Sequence, residues 1–209
     1  MKAIITCVNY ADILVITLPT ILQHFSHVTV VTDLHDIDTW NLARDNVSIL
    51  RTDSFYKNGS VFNKGAAMDE ALVNANGWTG ILDADIYLPT SLKLGAISKD
   101  SIYTPHRRII EKPGLIPIES EWKQLPRIND REPAGYFQLF NTESKYFGTR
   151  PWYESKWTTA QGCDSVFSAR WPRTEWKFLK EFEVLHLGPI RINWEGRKSE
   201  KWTHHSPQV

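Results

Sequence analysis

Gly80-Ile81-Leu82-Asp83-Ala84-Asp85-Ile86-Tyr87-Leu88-Pro89 sets two carboxylates one residue apart at the end of an apolar run. In an extended strand successive side chains alternate faces, so Ile81, Asp83 and Asp85 share one side and Leu82, Ala84 and Ile86 the other. Two like charges then converge at the edge of a core. Desolvation and mutual repulsion both disfavour that arrangement, and a hard divalent cation with oxygen ligands relieves both. The plainer reading is a strand that ends in a solvated acidic turn, because a bare Asp-Xaa-Asp is common.

Working outward, apolar runs alternate with helix-period segments, as in an α/β domain. Residues 3–8 form a candidate first strand, and residues 12–25 carry Leu14, Leu18, Ile21, Leu22 and Phe25 at helical spacing, with Pro19 near a start or kink. Val28-Thr29-Val30-Val31 is a second strand ending in Thr32-Asp33, and Val47-Ser48-Ile49-Leu50 a third ending in Thr52-Asp53. Asn63 is placed to cap a helix running through Ala66, Ala67, Ala71 and Leu72, and Asn76-Gly77 to stop it before the strand that delivers Asp83 and Asp85. Three strands thus finish in acidic residues, and in open α/β sheets ligands bind beyond the carboxyl ends of the strands. In the second half, residues 107–134 hold Pro113, Pro117, Pro126 and Pro133 with weak periodicity, which predicts a long loop serving as an active-site cover. Residues 135–140 resume as a strand, residues 164–170 read as a helix opened by an acidic N-cap, residues 184–187 read as a late strand, and the tail beyond Asn193 is polar.

The length of 209 residues, with 42% hydrophobic and 23% charged, predicts a single domain spanning 1–209. Lys plus Arg and Asp plus Glu number 24 each, which argues against the polyelectrolyte surface of a non-specific nucleic-acid binder. Cys7 and Cys163 are far apart and lack metal-ligand spacing, so neither a disulfide framework nor a zinc site is expected. The opening apolar stretch is too short to span a membrane and has no signal-peptide cleavage pattern, so the expected location is cytoplasmic. Trp152, Trp157, Trp171 and Trp194 read as packing rather than as ligand platforms.

Phe62-Asn63-Lys64-Gly65, Glu70-Ala71-Leu72, Ile81-Leu82-Asp83-Ala84-Asp85, Gly135-Tyr136-Phe137, Gly162-Cys163-Asp164 and His186 follow one another in an order that resembles nucleotide-sugar glycosyltransferases of the GT-A fold. The chain is most similar to the inverting family-2 type and to galactosyltransferase-like catalytic domains, and the resemblance covers nearly its whole length. It implies a Rossmann-like nucleotide-binding half over 1–90, an acceptor-binding and catalytic half over 91–209, and a mixed central sheet flanked by helices. By position it implies Asp83, Asp85 and His186 as ligands of Mn²⁺ or Mg²⁺, Asp164 as catalytic base, and donor contacts from Asn9, Asp33, Asn63, Lys64 and Asp83. One departure is Cys163, where many relatives have a second acid directly before the base.

The chemistry asks for these residue types. A sugar diphosphate bond breaks with negative charge gathering on the leaving phosphate, which a bound divalent ion neutralises, and an imidazole ligand tilts the choice toward Mn²⁺. The acceptor hydroxyl loses its proton as it attacks, and a carboxylate within reach takes it. Each residue also has an ordinary reading: Asp164 and Asn63 as helix caps, Asp33 as a turn residue, Lys64 as a solvated charge, His186 as a satisfied core or surface histidine. The expected reaction is transfer of a sugar, UDP-linked by preference, from a nucleoside diphosphate sugar to an acceptor hydroxyl with inversion. The alternatives are a nucleotide-sugar-binding protein without turnover and a sugar nucleotidyltransferase. Against the latter stands the lack of a Gly-rich triphosphate loop with a basic residue after the first strand, which runs into Cys7-Val8-Asn9-Tyr10. The acceptor stays open among a glycan, a lipid-linked or small molecule and a modified nucleic acid. Eight basic against five acidic residues from Arg170 onward keep a phosphorylated acceptor in play without selecting it.

Overall fold

The structure, a computed structural model, describes residues 1–153 and 156–202. Its elements in chain order are β1 (Lys2–Thr6), α1 (Ala11–Leu22), β2 (His27–Asp33), α2 (Ile37–Trp40), β3 (Val47–Thr52), α3 (Lys64–Ala71), β4 (Trp78–Asp83), β5 (Ile86–Tyr87), β6 (Ile102–Ile110), β7 (Arg127–Ile128), β8 (Phe137–Asn141), α4 (Cys163–Ser168) and β9 (Trp176–Leu187). Among the described residues these strands build one mixed sheet in the order β3-β2-β1-β4-β8-β6-β9-β5, with β7 paired to β6. The expected α/β architecture with a mixed central sheet flanked by helices is present.

The inner parallel strands β2, β1 and β4 are largely buried on both faces, which is why they read as apolar runs, while β3 at the edge is partly exposed. Period-2 alternation divides each strand between two cores. Ala3, Ile5, Val28, Val30 and Leu82 meet Leu14, Leu18 and Ile21 of α1 on one face. Ile4, Val31, Ile81 and Phe140 meet Ala67 and Met68 of α3 and Phe167 of α4 on the other. Register aligns the strand ends: Thr6 sits opposite Val31 on one side and Asp83 on the other, so β1 and β4 finish at one level and β2 runs two residues further to Asp33. From β4 the sheet turns antiparallel through β8.

Four sequence expectations are corrected. Asp83 and Asp85 do not share a strand, because β4 stops at Asp83, Ala84-Asp85 forms a turn and β5 begins at Ile86. The segment 107–134 is not one loop: β6 runs to Ile110, Trp122 is buried within a 3-10 turn at Glu119–Gln124, and β7 pairs back onto β6. The late strand extends over twelve residues as β9. α1 ends at Leu22 rather than running to Phe25, with Pro19 inside it as the kink alternative allowed. Among the described residues no helix is long and apolar enough to cross a membrane.

Candidate active site

A cleft of about 530 Å³ opens over the ends of β1 and β4, within the roughly 300–1,000 Å³ of small-molecule pockets. Val8, Tyr10 and Phe62 line one side, Lys64, Asp83, Asp85, Asp164 and His186 the floor, and Arg107 with 128–132 a further wall. The predicted cover segment therefore does border the cleft. The opposite wall comes from 189–191, Asn193 and Trp194.

Three secondary-structure devices assemble the floor. Asn63 caps α3, its Oδ1 accepting from the Ala66 amide at 2.9 Å, and this fixes Lys64 as the first helical residue. Gly65 lets α3 approach α4 closely: a Cβ there would stand 3.3 Å from the Cys163 Cβ and 3.4 Å from that of Tyr153. Lys64 is consequently 5% exposed, with its ammonium 2.7 Å from Asp83 Oδ1 and 3.3 Å from Asp164 Oδ2. Burial works against its charge, but the Asp164 and Asp83 carboxylates more than offset this and hold the lysine far above its ordinary pKa.

Asp164 itself is not a helix cap. The N-cap of α4 is Gly162 in the left-handed region, no side chain caps the helix, and Asp164 sits in its first turn. Its Oδ1 is buried without a hydrogen-bond partner. Burial pushes the carboxyl above the ordinary range, Lys64 opposes the rise and Asp83 adds to it. In the core on the α3–α4 side, Phe140, Phe167 and Trp171 pack edge-on or tilted with ring centroids within 5.6 Å of one another, an aromatic base for α4.

Asp85 and His186 meet through strand pairing, with His186 of β9 opposite Ile86 of β5 and the Leu187 amide donating to the Asp85 carbonyl at 2.8 Å. His186 Nδ1 lies 3.0 Å from the Gly188 carbonyl, which can only accept, so Nδ1 carries the proton. In the neutral form of this tautomer Nε2 presents a lone pair. It stands 3.7 Å from Asp85 Oδ1, beyond hydrogen-bond reach, and that oxygen is buried with no hydrogen-bond partner. Two acceptors facing each other at this spacing, one oxygen and one imidazole nitrogen, suit a divalent cation. Burial raises the Asp85 carboxyl, a cost that a cation would offset. Asp83 is turned instead to Lys64, and among the described residues no three His, Cys, Asp or Glu side chains gather as a ligand group.

The remaining predicted donor contacts lie off the cleft. Asn9, in the left-handed region, gives its amide to Asp36 Oδ2 at 2.7 Å and its carbonyl to Arg197. Asp33 Oδ1 accepts from the His35 amide at 2.9 Å, closing the turn after β2. Asn63 is occupied as a cap. Sequence reasoning missed Arg107, Arg131, Arg191 and Trp194, all of which line the cleft. Trp194, read as packing, is 38% exposed. A usable signal was the position of Arg191 and Trp194 just beyond the Gly188-Pro189 break that follows His186.

No protein-family profile matches the chain, and no curated protein matches it at a significant level. Solved structures do resemble its fold. The inositol-1-phosphate CTP transferase of T. maritima matches with a TM-score of 0.50 at 7% identity, covering 90% of this chain and 84% of its own. A Bacillus anthracis protein assigned as a glucose-1-phosphate thymidylyltransferase, in complex with a sucrose, matches with 0.50 at 10% identity over 87% of each chain. The 4-diphosphocytidyl-2C-methyl-D-erythritol synthase of Anaerococcus prevotii matches with 0.48 at 12% identity over 86% of each chain. At these identities the likeness is one of fold, an α/β unit with a mixed central sheet.

Proposed function

We propose that the cleft binds a nucleoside diphosphate sugar and that the protein transfers the sugar to an acceptor hydroxyl with inversion. The observation that carries this reading is the placement of Asp164, a buried carboxylate with a raised pKa, in the same cleft as the Asp85–His186 pair. A carboxylate so placed is within the cleft to take the acceptor proton. Asp85 and His186 would hold Mn²⁺ or Mg²⁺, which when bound supplies charge neutralisation at the leaving diphosphate. Tyr10 and Phe62 line the cleft where the nucleotide would lie, and Arg131 and Arg191 offer guanidinium groups to its phosphates.

Nucleotidyl transfer is the second reading, and the names of the structural neighbours favour it over glycosyl transfer. At these identities, however, the likeness extends to the fold, and this chain's own residues favour the first reading. The turn between β1 and α1 is Cys7-Val8-Asn9-Tyr10, without glycine, lysine or arginine, whereas a triphosphate needs backbone amides and a cation at such a turn.

Asp164→Asn tests the assignment, since Asn keeps the shape but cannot accept a proton. It should lower kcat by about 10² to 10⁴ with donor KM nearly unchanged. The anomeric proton of the wild-type product, read by NMR, should show inversion. Wild-type turnover in the variant, or retained configuration, would overturn the role of Asp164.

A further inference from the structure

Asp164 is gripped from two sides by residues that the reaction itself does not require. On one side stands the Lys64 ammonium, 3.3 Å from Oδ2 and anchored by its 2.7 Å contact with Asp83 Oδ1. On the other side runs the backbone of Gly135, just before the β8 strand. A Cβ built on Gly135 would fall 1.9 Å from Asp164 Oδ2, 2.0 Å from Cγ and 2.5 Å from Oδ1. No real contact is that short, and a carboxyl so hemmed in by backbone has no alternative rotamer on that side. Gly135 is not among the residues with positive φ, so its backbone would accept alanine, and the three nearest atoms a Cβ would meet all belong to the Asp164 carboxyl. The main chain of Asp164 is fixed too, its carbonyl accepting from Gln138 Nε2 of β8 at 3.1 Å.

Lys64 was expected at the donor. Its ammonium is instead spent on two carboxylates, one from the end of β4 and one from α4, while the lysine is 5% exposed. A flexible four-carbon side chain buried in this way gives up rotamer freedom for a fixed point charge, and a buried charge so placed acts on its neighbours rather than on solvent.

We propose that Lys64 and Gly135 are positioning residues for Asp164: the ammonium holds the carboxylate in place, and the missing side chain at 135 leaves the space in which it sits. This rests on Asp164 being the base, but half of its test does not. The grip makes Asp83 a member of the base's ion triad through Lys64. The groups facing the carboxyl are thus Lys64 of α3, Asp83 of β4 and, from its own helix, Cys163, with Tyr153 from the preceding loop. A misplacement of about 1 Å at a reacting group costs on the order of 10²-fold in rate, which sets the expected size of the effect.

The stability half is a double-mutant cycle on Tm with the purified full chain. Gly135→Ala should lower Tm by several degrees in the wild type and by little in an Asp164→Ala background, where the clashing atoms are gone. An equal drop in both backgrounds would overturn the contact, and this result needs no turnover at all. The kinetic half uses Lys64→Ala, assayed with a nucleoside diphosphate sugar, with and without ethylamine. We expect kcat to fall about 10²-fold with donor KM held within threefold, and ethylamine to restore at least tenfold of the loss in Lys64→Ala but none in Asp164→Asn. A loss carried by donor KM, or no response to the amine, would overturn the role of Lys64. If Lys64→Ala does not fold, Lys64→Ala/Asp83→Asn, which removes one charge of each sign, carries the same rescue test. Absence of turnover in the wild type would count against the proposed function, while the Tm cycle would still decide the geometry.

Discussion

At the scale of single residues, the site depends on charges placed where water does not reach them. Asp164 must be ionised to act as a base, yet burial raises its pKa, with Lys64 opposing and Asp83 adding to the rise. The acid limb of kcat/KM should therefore lie above the ordinary aspartate value of about 3.9. Asp83→Asn, by removing a like charge, should move that limb down. The sign for stability is the reverse of the usual carboxylate case. A folded pKa above the unfolded one contributes stability that is full below the unfolded value and is lost as pH rises through the folded one. Asp164→Asn imitates the protonated form, so its Tm should exceed the wild type's, and the gain should widen from acid toward neutral pH. A gain that shrinks with rising pH in thermal scans would contradict the direction assigned here. Only part of this was legible in sequence. Asp164, Asp83, Asp85, His186 and Lys64 all line the cleft, but which groups neutralise which depended on the packing of α3 on α4, and no spacing encodes that.

At the scale of elements, the inner parallel strands were readable because strands buried on both faces are apolar runs. β6 was not, since Pro105-His106-Arg107-Arg108 interrupts its pattern. The register shifts between Pro105 and His106, so the proline sits at a bulge, where a missing donor is tolerated. The Asp-Xaa-Asp turn misled for a related reason: alternation in one strand would put the two acids on one face, whereas a turn separates them and pairing with β9 gives Asp85 its own neighbour. α3 shows how a cap serves a site. With a β1-side helix so short, the loss of Asn63 Oδ1 from the Ala66 amide frees its first turn, and that turn carries Lys64. Asn63→Ala should cost about 1 kcal/mol in urea unfolding. It should also lower kcat, and Asn63→Asp, which caps equally well, should restore both.

At the scale of the whole molecule, the cleft's second wall is a tail that returns to the start of the chain. Arg197 reaches back to Asp12 with both guanidinium nitrogens, donates to the Asn9 carbonyl at 2.7 Å, and lies over the Tyr10 ring at 4.6 Å. The Trp202 amide adds 2.6 Å to Asp12 Oδ2, and the Trp202 ring is 3% exposed. Asn9, expected at the donor, is thus part of the contact that ties the 197–202 tail to the start of α1. Arg197→Met should cost about 1.5–3 kcal/mol, the span for hydrogen bonds to charged groups, and should speed amide exchange across 189–194 more than elsewhere. Uniform exchange changes would mean the wall is held by something else. The central claim, that a nucleoside diphosphate leaves while its sugar moves, is tested most directly by ³¹P NMR of the purified protein. Nucleoside diphosphate sugars would be supplied with Mn²⁺, with excess chelator as control, beside a second sample of nucleoside triphosphate and sugar 1-phosphate. Release of nucleoside diphosphate in the first sample, abolished by chelator, with the second unchanged, is the predicted result; pyrophosphate appearing in the second sample, with no diphosphate in the first, would contradict it and establish nucleotidyl transfer instead.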